Sequence, residues 1–205
     1  MASYTNKIKQ TNYVIQTALL DLLGTVSFNK VSVNQICAKA DINRSTFYRH
    51  YVDKYQVLDE IEQEIITQLG AIPRNEFEQS TSISDLALNL EVIIDQMLDI
   101  VQGYQNTLSL LLGENGDANF QNYLKQVFLT RMEGSWQKIH RHLKVDNHHI
   151  DRELSADFIV AANMSILYYA VKHPMVSHQQ ITETFTKLLI RGPLNTLYQS
   201  ISTED

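Results

Sequence analysis

The chain has 205 residues, 44% of them apolar, with only seven glycines and three prolines. That is long enough to bury a real core and too poor in Gly and Pro for a collagenous, low-complexity or turn-rich all-β chain. A single cysteine, Cys37, excludes an intramolecular disulfide framework and a multi-cysteine zinc site. No apolar run approaches the roughly 18 residues that a membrane-spanning helix needs. Residues 1–13 lack the apolar stretch of a secretory leader. The expectation is a cytoplasmic protein with no membrane partner.

The formal net charge of −6 hides an asymmetry. Residues 1–52 hold six basic side chains (Lys7, Lys9, Lys30, Lys39, Arg44 and Arg49) against Asp21 and Asp41, a net +4. The remainder holds 11 basic and 21 acidic side chains, a net −10. A basic head on an acidic body points to an anionic partner for the head alone.

Helical periodicity runs throughout. Ile8, Val14, Ile15, Ala18, Leu19, Leu22 and Leu23 form one stripe, which predicts a first helix ending near Gly24. Ser32 opens a short second helix and has the capping-box spacing to Gln35. Ile36, Cys37 and Ala40 form its inner face, with Cys37 as a small core residue. Asp41-Ile42 is a tight turn, and Asn43 caps a third helix from Arg44 to about Tyr51. Asp53 caps a fourth, which runs to about Leu69 and stops at Gly70 before Pro73. Residues 71–83 read as a polar connector. Further helices are predicted at about 84–102, 104–112, 118–144, 152–173 and 178–190, with a short piece after Pro193. The loop Gly113–Asp117 is a break, and Asp117 can cap the helix that starts at 118. There is no β alternation and no internal repeat.

Two short helices joined by a tight turn, braced by a longer one, form the helix-turn-helix arrangement, whose second helix enters the DNA major groove. Ile42, Phe47 and Tyr51 can face the core, leaving Arg44, Ser45, Thr46, Tyr48, Arg49 and His50 outside. Arg pairs bidentately with guanine, and Ser or Thr reaches base edges or phosphates. Tyr and His can donate to phosphate oxygens. Lys54, at the positive start of the fourth helix, suits a phosphate contact.

The run from Val31 to Leu58 resembles the DNA-binding segment of TetR-family transcriptional regulators, most specifically in Ser45-Thr-Phe-Tyr-Arg-His-Tyr51 followed by Lys54. The likeness covers about residues 8–60. It implies an all-α fold: an N-terminal three-helix domain with the helix-turn-helix, and a C-terminal helical bundle for ligand binding and dimerisation. The expected division is residues 1–52 for DNA binding, 53–72 as a connecting helix and 73–205 for the C-terminal domain. By the same resemblance, Ser32, Arg44, Ser45, Thr46, Tyr48, Arg49, His50 and Lys54 contact DNA. Two departures stand out. Asp41 stands where the family usually has Gly, and Asp tolerates a left-handed backbone better than most residues. Tyr51 replaces a common Phe, so its hydroxyl needs a partner if buried.

The resemblance implies a ligand-responsive regulator, a repressor, that binds a palindromic double-stranded DNA operator as a homodimer. The fourth helix would be the lever between ligand and DNA. Two alternatives stay open: an activator of the same family, and a helical small-molecule-binding protein without DNA binding. Catalysis finds no support, since there is no G-x-S-x-G elbow, phosphate-cradling Gly-rich loop or H-E-x-x-H. No cofactor is expected.

The C-terminal part carries apolar stripes at Leu86, Leu90, Ile93, Ile94, Met97 and Ile100; at Phe120, Leu124, Val127, Phe128, Met132 and Trp136; and at Phe158, Ile159, Met164, Leu167, Tyr168 and Val171. Such stripes ordinarily make core. The resemblance adds a pocket for an unidentified small-molecule effector, with Met97, Tyr104, Phe128, Met132, Trp136, Met164 and Tyr168 as candidate lining. If the family pattern holds, the last two long helices dimerise through a four-helix bundle, with Ile166, Tyr169, Ile181, Phe185, Leu188 and Leu189 at the interface. The alternative is that these faces pack within one chain. Leu111–Phe120 is similar to a loop in one branch of TetR-like regulators, which includes a dihydroxyacetone-kinase activator. His140, His142, His148 and His149 lie at spacings that diverge, so no metal site is expected.

Overall fold

A computed structural model describes the backbone of residues 2–143 and 151–192, with side chains for residues 6–135, 138, 139 and 151–192. All regular structure among the described residues is helical. In chain order the helices are α1 (Ala2–Leu23), α2 (Val33–Lys39), α3 (Arg44–His50), α4 (Lys54–Ala71), α5 (Asn75–Glu78), α6 (Ile83–Gly103), α7 (Gln105–Leu111), α8 (Ala118–Leu143), α9 (Arg152–Lys172) and α10 (His178–Arg191). The chain forms two compact units. One comprises residues up to Thr67 together with Asn106–Tyr123; the other comprises Gln68–Gln105 and the residues from Leu124 onward.

In the first unit, α1 packs on α2 and α3. Its buried face is Ile15, Ala18, Leu19 and Leu23. The predicted stripe reached back to Ile8, but Ile8 is 37% exposed, and every residue from Asn6 to Gln10 is exposed. The beginning of the helix therefore extends past its packing partners. The Ser32–Gln35 capping box is present: the Ser32 hydroxyl accepts from the Gln35 N–H at 3.3 Å, and Gln35 Oε1 accepts from the Ser32 N–H at 2.8 Å. Two donors at a helix start are thereby satisfied reciprocally. Asp41 has φ 52°, the left-handed conformation that the tight turn requires. Ile36, Phe47, Val57, Ile65, Leu108 and Phe120 are fully buried and complete the core of this unit. The loop before α8 needs its glycine at 116, because a Cβ there would lie 2.0 Å from the Leu111 carbonyl oxygen. That loop is tied down by the Phe28 N–H, which donates to the Asn115 carbonyl at 2.9 Å.

In the second unit, α6 packs on α9 and α10. Ile94, Met97, Leu98 and Val101 of α6 are buried, as are Val160, Met164 and Leu167 of α9 and Ile181 and Phe185 of α10. The stretch read as a connector contains the one-turn helix α5, and Ser82, whose hydroxyl accepts from the Asp85 N–H at 3.1 Å, caps α6 two residues before the expected start. The Arg131 guanidinium on α8 donates to the Gly70 and Ile72 carbonyls just ahead of α5.

Helix α9 corrects two expectations. It is long and apolar enough, by length and composition, to cross a membrane, although no such stretch was expected. The reason is that α9 is apolar on both sides. Ala156, Val160, Met164 and Leu167 are buried, while Leu154 (70%) and Phe158 (58%) are exposed. Core helices of bundles pass the same length-and-composition test. Phe158, read as part of a core stripe, therefore lies on the open side of the helix. The short piece expected after Pro193 lies outside the described residues.

Candidate nucleic-acid interface

Helix α3 has only seven residues, and its geometry is set by its two ends. At the start, Asn43 Oδ1 accepts three hydrogen bonds: from the Thr46 N–H at 2.8 Å, from Ser45 Oγ at 2.6 Å and from Thr46 Oγ1 at 3.0 Å. Underneath, Phe47 is fully buried and meets the Tyr48 ring edge-on at 5.4 Å. Just past the end, Tyr51 is 3% exposed. Its hydroxyl donates to Glu60 Oε2 at 2.5 Å and accepts from Gln16 Nε2 at 3.1 Å. Burial and the Glu60 carboxylate push the Tyr51 phenol far above its ordinary range, so it stays neutral. The buried hydroxyl that replaces the common Phe thus has its partners.

With Phe47 and Tyr51 held inward, Arg44, Ser45, Tyr48 and Arg49 are exposed, and Thr46 and His50 are half-buried. No acidic residue lies between Ile42 and Val52. Arg44 Nη2 donates to the Tyr48 hydroxyl at 3.4 Å, with its guanidinium 5.7 Å from the Tyr48 ring centre. That contact raises the Arg44 pKa still further. Arg49 Nη2 donates to Thr46 Oγ1 at 3.1 Å. Ring nitrogen Nδ1 of His50 lies 2.6 Å from Asn12 Oδ1, so an N–H on Nδ1 donates to the amide oxygen. The Ser32 hydroxyl is exposed at the start of α2. This is a surface of donors and cations on a rod whose opposite side is anchored. It suits phosphate oxygens and the acceptor-rich major-groove edge of guanine.

Lys54 is arranged differently. Its ammonium donates to the carbonyls of Phe28 at 2.7 Å, Val31 at 2.8 Å and Asn29 at 3.1 Å. It lies 4.7 Å from the Phe28 ring centre, and burial lowers its pKa. All three of its N–H donors face the chain's own backbone, where they close the 3-10 turn Phe28–Lys30.

Sequence reasoning singled out neither Lys7 nor Asn12. Both line a cleft of about 560 Å³, walled by Lys7, Ile8, Thr11 and Asn12 of α1 and by Thr46, Arg49 and His50 of α3. The i, i+4 spacing of the α1 residues was visible in the chain, but that they face α3 was not.

The candidate effector residues sit at different depths. Met97, Phe128 and Met164 are buried, and Tyr104 and Tyr168 are half-buried. The Tyr104 hydroxyl accepts from Gln68 Nε2 at 2.6 Å. Met132 lines a cavity of about 620 Å³ with Leu129, Glu133, Arg152, Glu153, Ala156 and Asp157, a more charged lining than expected. The Trp136 side chain lies outside the described residues. Of the candidate interface residues, Ile166, Ile181 and Phe185 are buried within the chain itself, so the alternative of intrachain packing holds for those three. Leu188 and Leu189 are half-buried, and Tyr169 is 45% exposed. The side chains of His140, His142, His148 and His149 lie outside the described residues.

The chain matches the family described as bacterial regulatory proteins, tetR family, over residues 15–61. Residues 89–191 match a family described as transcriptional regulator C-terminal region. A curated relative, an uncharacterized HTH-type transcriptional regulator of Haemophilus influenzae, is 26% identical over 110 residues, 53% of this chain. The match spans about half (52%) of that relative's length. Among solved structures, a TetR transcriptional regulator from Streptococcus agalactiae superposes with a TM-score of 0.64 at 16% identity, covering 91% of this chain and 97% of that one. The dihydroxyacetone kinase operon activator DhaS gives 0.55 at 20% identity, covering 88% and 94%. The regulator LfrR from Mycobacterium smegmatis, solved in complex with proflavine, gives 0.51 at 15% identity, covering 90% and 97%. At these identities the likeness is one of fold.

Proposed function

Because the chain belongs to the TetR family of bacterial transcription regulators, and is thus a transcription factor rather than an enzyme, we propose that it is a cytoplasmic, ligand-responsive repressor that binds a palindromic operator as a homodimer. The observation that carries the DNA contacts is the outward face of α3, with Arg44, Ser45, Tyr48 and Arg49 exposed over a fully buried Phe47. In this reading residues 1–52 bind DNA, 53–72 connect and 73–205 bind effector and dimerise. Arg44 reads a base edge. Ser32, Ser45, Thr46, Tyr48, Arg49 and His50 contact phosphates or base edges. Lys54 acts as a positioning residue, because its donors are engaged by the backbone around Phe28.

The dimer is supported by the open side of α9. Leu154, Phe158, Ala161, Ser165 and Tyr169 recur at helical spacing, and all are exposed. Single apolar residues on a surface are ordinary, but a stripe along a helix calls for a covering partner. This stripe replaces Ile166, Ile181 and Phe185 as the proposed interface. Two copies would set their recognition helices about 34–36 Å apart on successive turns of DNA. An effector in the second unit would shift the population toward a spacing that no longer fits both half-sites. The cavity beside Met132 is of ordinary size for a small-molecule ligand.

Fluorescence anisotropy on the DNA upstream of its own gene tests the reading. Affinity falls steeply as salt rises if phosphates are neutralised. Tyr48→Ala weakens binding to all sequences, whereas Arg44→Ala relaxes base preference. Unchanged affinity in both variants would remove the assigned contacts. Reporter output with and without the protein separates repression from activation.

A further inference from the structure

We propose that the cleft between α1 and α3 seats one DNA backbone phosphate beside the base pairs read by α3, with Lys7 supplying the cation from the α1 wall. The inference rests on the DNA-binding reading above and extends the contact surface beyond the helix-turn-helix. Three observations converge. The cleft is bounded by Lys7 on one side and Arg49 on the other, and no Asp or Glu among the described residues lines it. Its walls are joined by the 2.6 Å contact between Asn12 Oδ1 and His50 Nδ1, which holds α1 beside α3. Asn6 to Gln10 of α1 are exposed, and the helix's buried face begins only at Ile15. Exposed helical turns are marginal alone, so a polyanion laid along them would supply what the protein does not. The cleft is continuous with Thr46, Arg49 and His50, which already belong to the proposed DNA surface.

Lys9 provides an internal control. It carries the same charge two residues away but does not line the cleft. The test uses the full chain and a duplex that it binds in a salt-dependent manner. Lys7→Ala is expected to lose affinity several-fold on every sequence and to reduce the slope of log K against log salt by about one. Lys9→Ala is expected to keep the wild-type slope, and Lys7→Arg to restore it. On duplexes carrying a single neutral methylphosphonate, one flanking position should abolish the difference between wild type and Lys7→Ala. Equal losses for Lys7→Ala and Lys9→Ala on all duplexes would overturn the seat while leaving DNA binding intact. Saturable, Lys7-dependent displacement of the His50 ring resonance by inorganic phosphate without DNA would instead assign the cleft to a free anion and overturn the backbone contact. Failure of the wild type to bind any duplex would remove the underlying reading.

Discussion

The two units differ in what they leave uncovered. In the first, Ile15, Leu19, Ile36, Phe47, Val57, Ile65, Leu108 and Phe120 are all fully buried, and the groups left outside on α3 are polar. In the second, Ile83 and Leu88 of α6 are each 63% exposed and Val92 50%, in addition to the open stripe of α9. Thr182 and Thr186 of α10 are buried with hydroxyls that have no partner. The first unit has its own exposed apolar side chain, Val52, and its own unpartnered buried atom, Glu62 Oε1, but the face it presents on α3 is polar. The second leaves apolar side chains in water along α6 and α9, which suits a covering partner.

That contrast can be broken most sharply at Phe47. Phe47→Ala should cost about 3–5 kcal/mol through lost transfer energy and a cavity. Chemical denaturation should show it as a lowered midpoint, with DNA binding lost together with the fold of α3. A midpoint near wild type would mean that α3 is not held from beneath.

Glu62 comes next. It is 2% exposed, its Oε1 has no partner, and burial with Asp117 and Asp59 nearby pushes its carboxyl up to about 8. The folded state therefore holds this proton above the ordinary range. The contribution of Glu62 to stability is greatest below about pH 4.5, declines as pH rises toward 8 and levels off beyond, because its ionisation is easier in the unfolded chain. Glu62→Gln should remove that component, on the order of a few kcal/mol, and flatten stability between pH 5 and about 8.5. Parallel pH profiles for wild type and variant would show that Glu62 does not carry the dependence.

Two smaller changes compare the units directly. Tyr51→Phe should destabilise by about 1 kcal/mol, since it removes a hydroxyl bonded at both ends. Thr186→Val should stabilise by about 1 kcal/mol, since its hydroxyl is buried without a partner. Thermal melts of both variants measure the opposite signs. The smallest effect belongs to Asp41→Gly. Relief of the left-handed strain at φ 52° is offset by added freedom in the unfolded chain, leaving a gain of a few tenths of a kcal/mol.

Much of this molecule could be read from neighbouring residues. Ser32 with Gln35, Asn43 with Thr46, and the turn at Asp41 each lie within four residues of chain, and each occurs where the pattern puts it. The outward set on α3 followed from the spacing of Phe47 and Tyr51. The stripes were less informative. Periodicity marks an apolar face, but it does not tell a face covered by the chain from one left open, so Ile8 and Phe158 were placed inward and Ile166 was placed outward.

The chain's own order of residues determined that it is helical, where its short helices are capped, and which side chains a seven-residue helix could turn outward. Those are local matters, decided by backbone hydrogen bonds and spacing within a turn or two. Only the tertiary structure decided that Lys54 closes a turn 23–26 residues upstream, that Gln16 supports Tyr51 from 35 residues away, and that Asn12 holds His50 across 38. Each of those groups needs a partner once it is packed, and which partner it meets depends on how helices distant in sequence come to lie side by side.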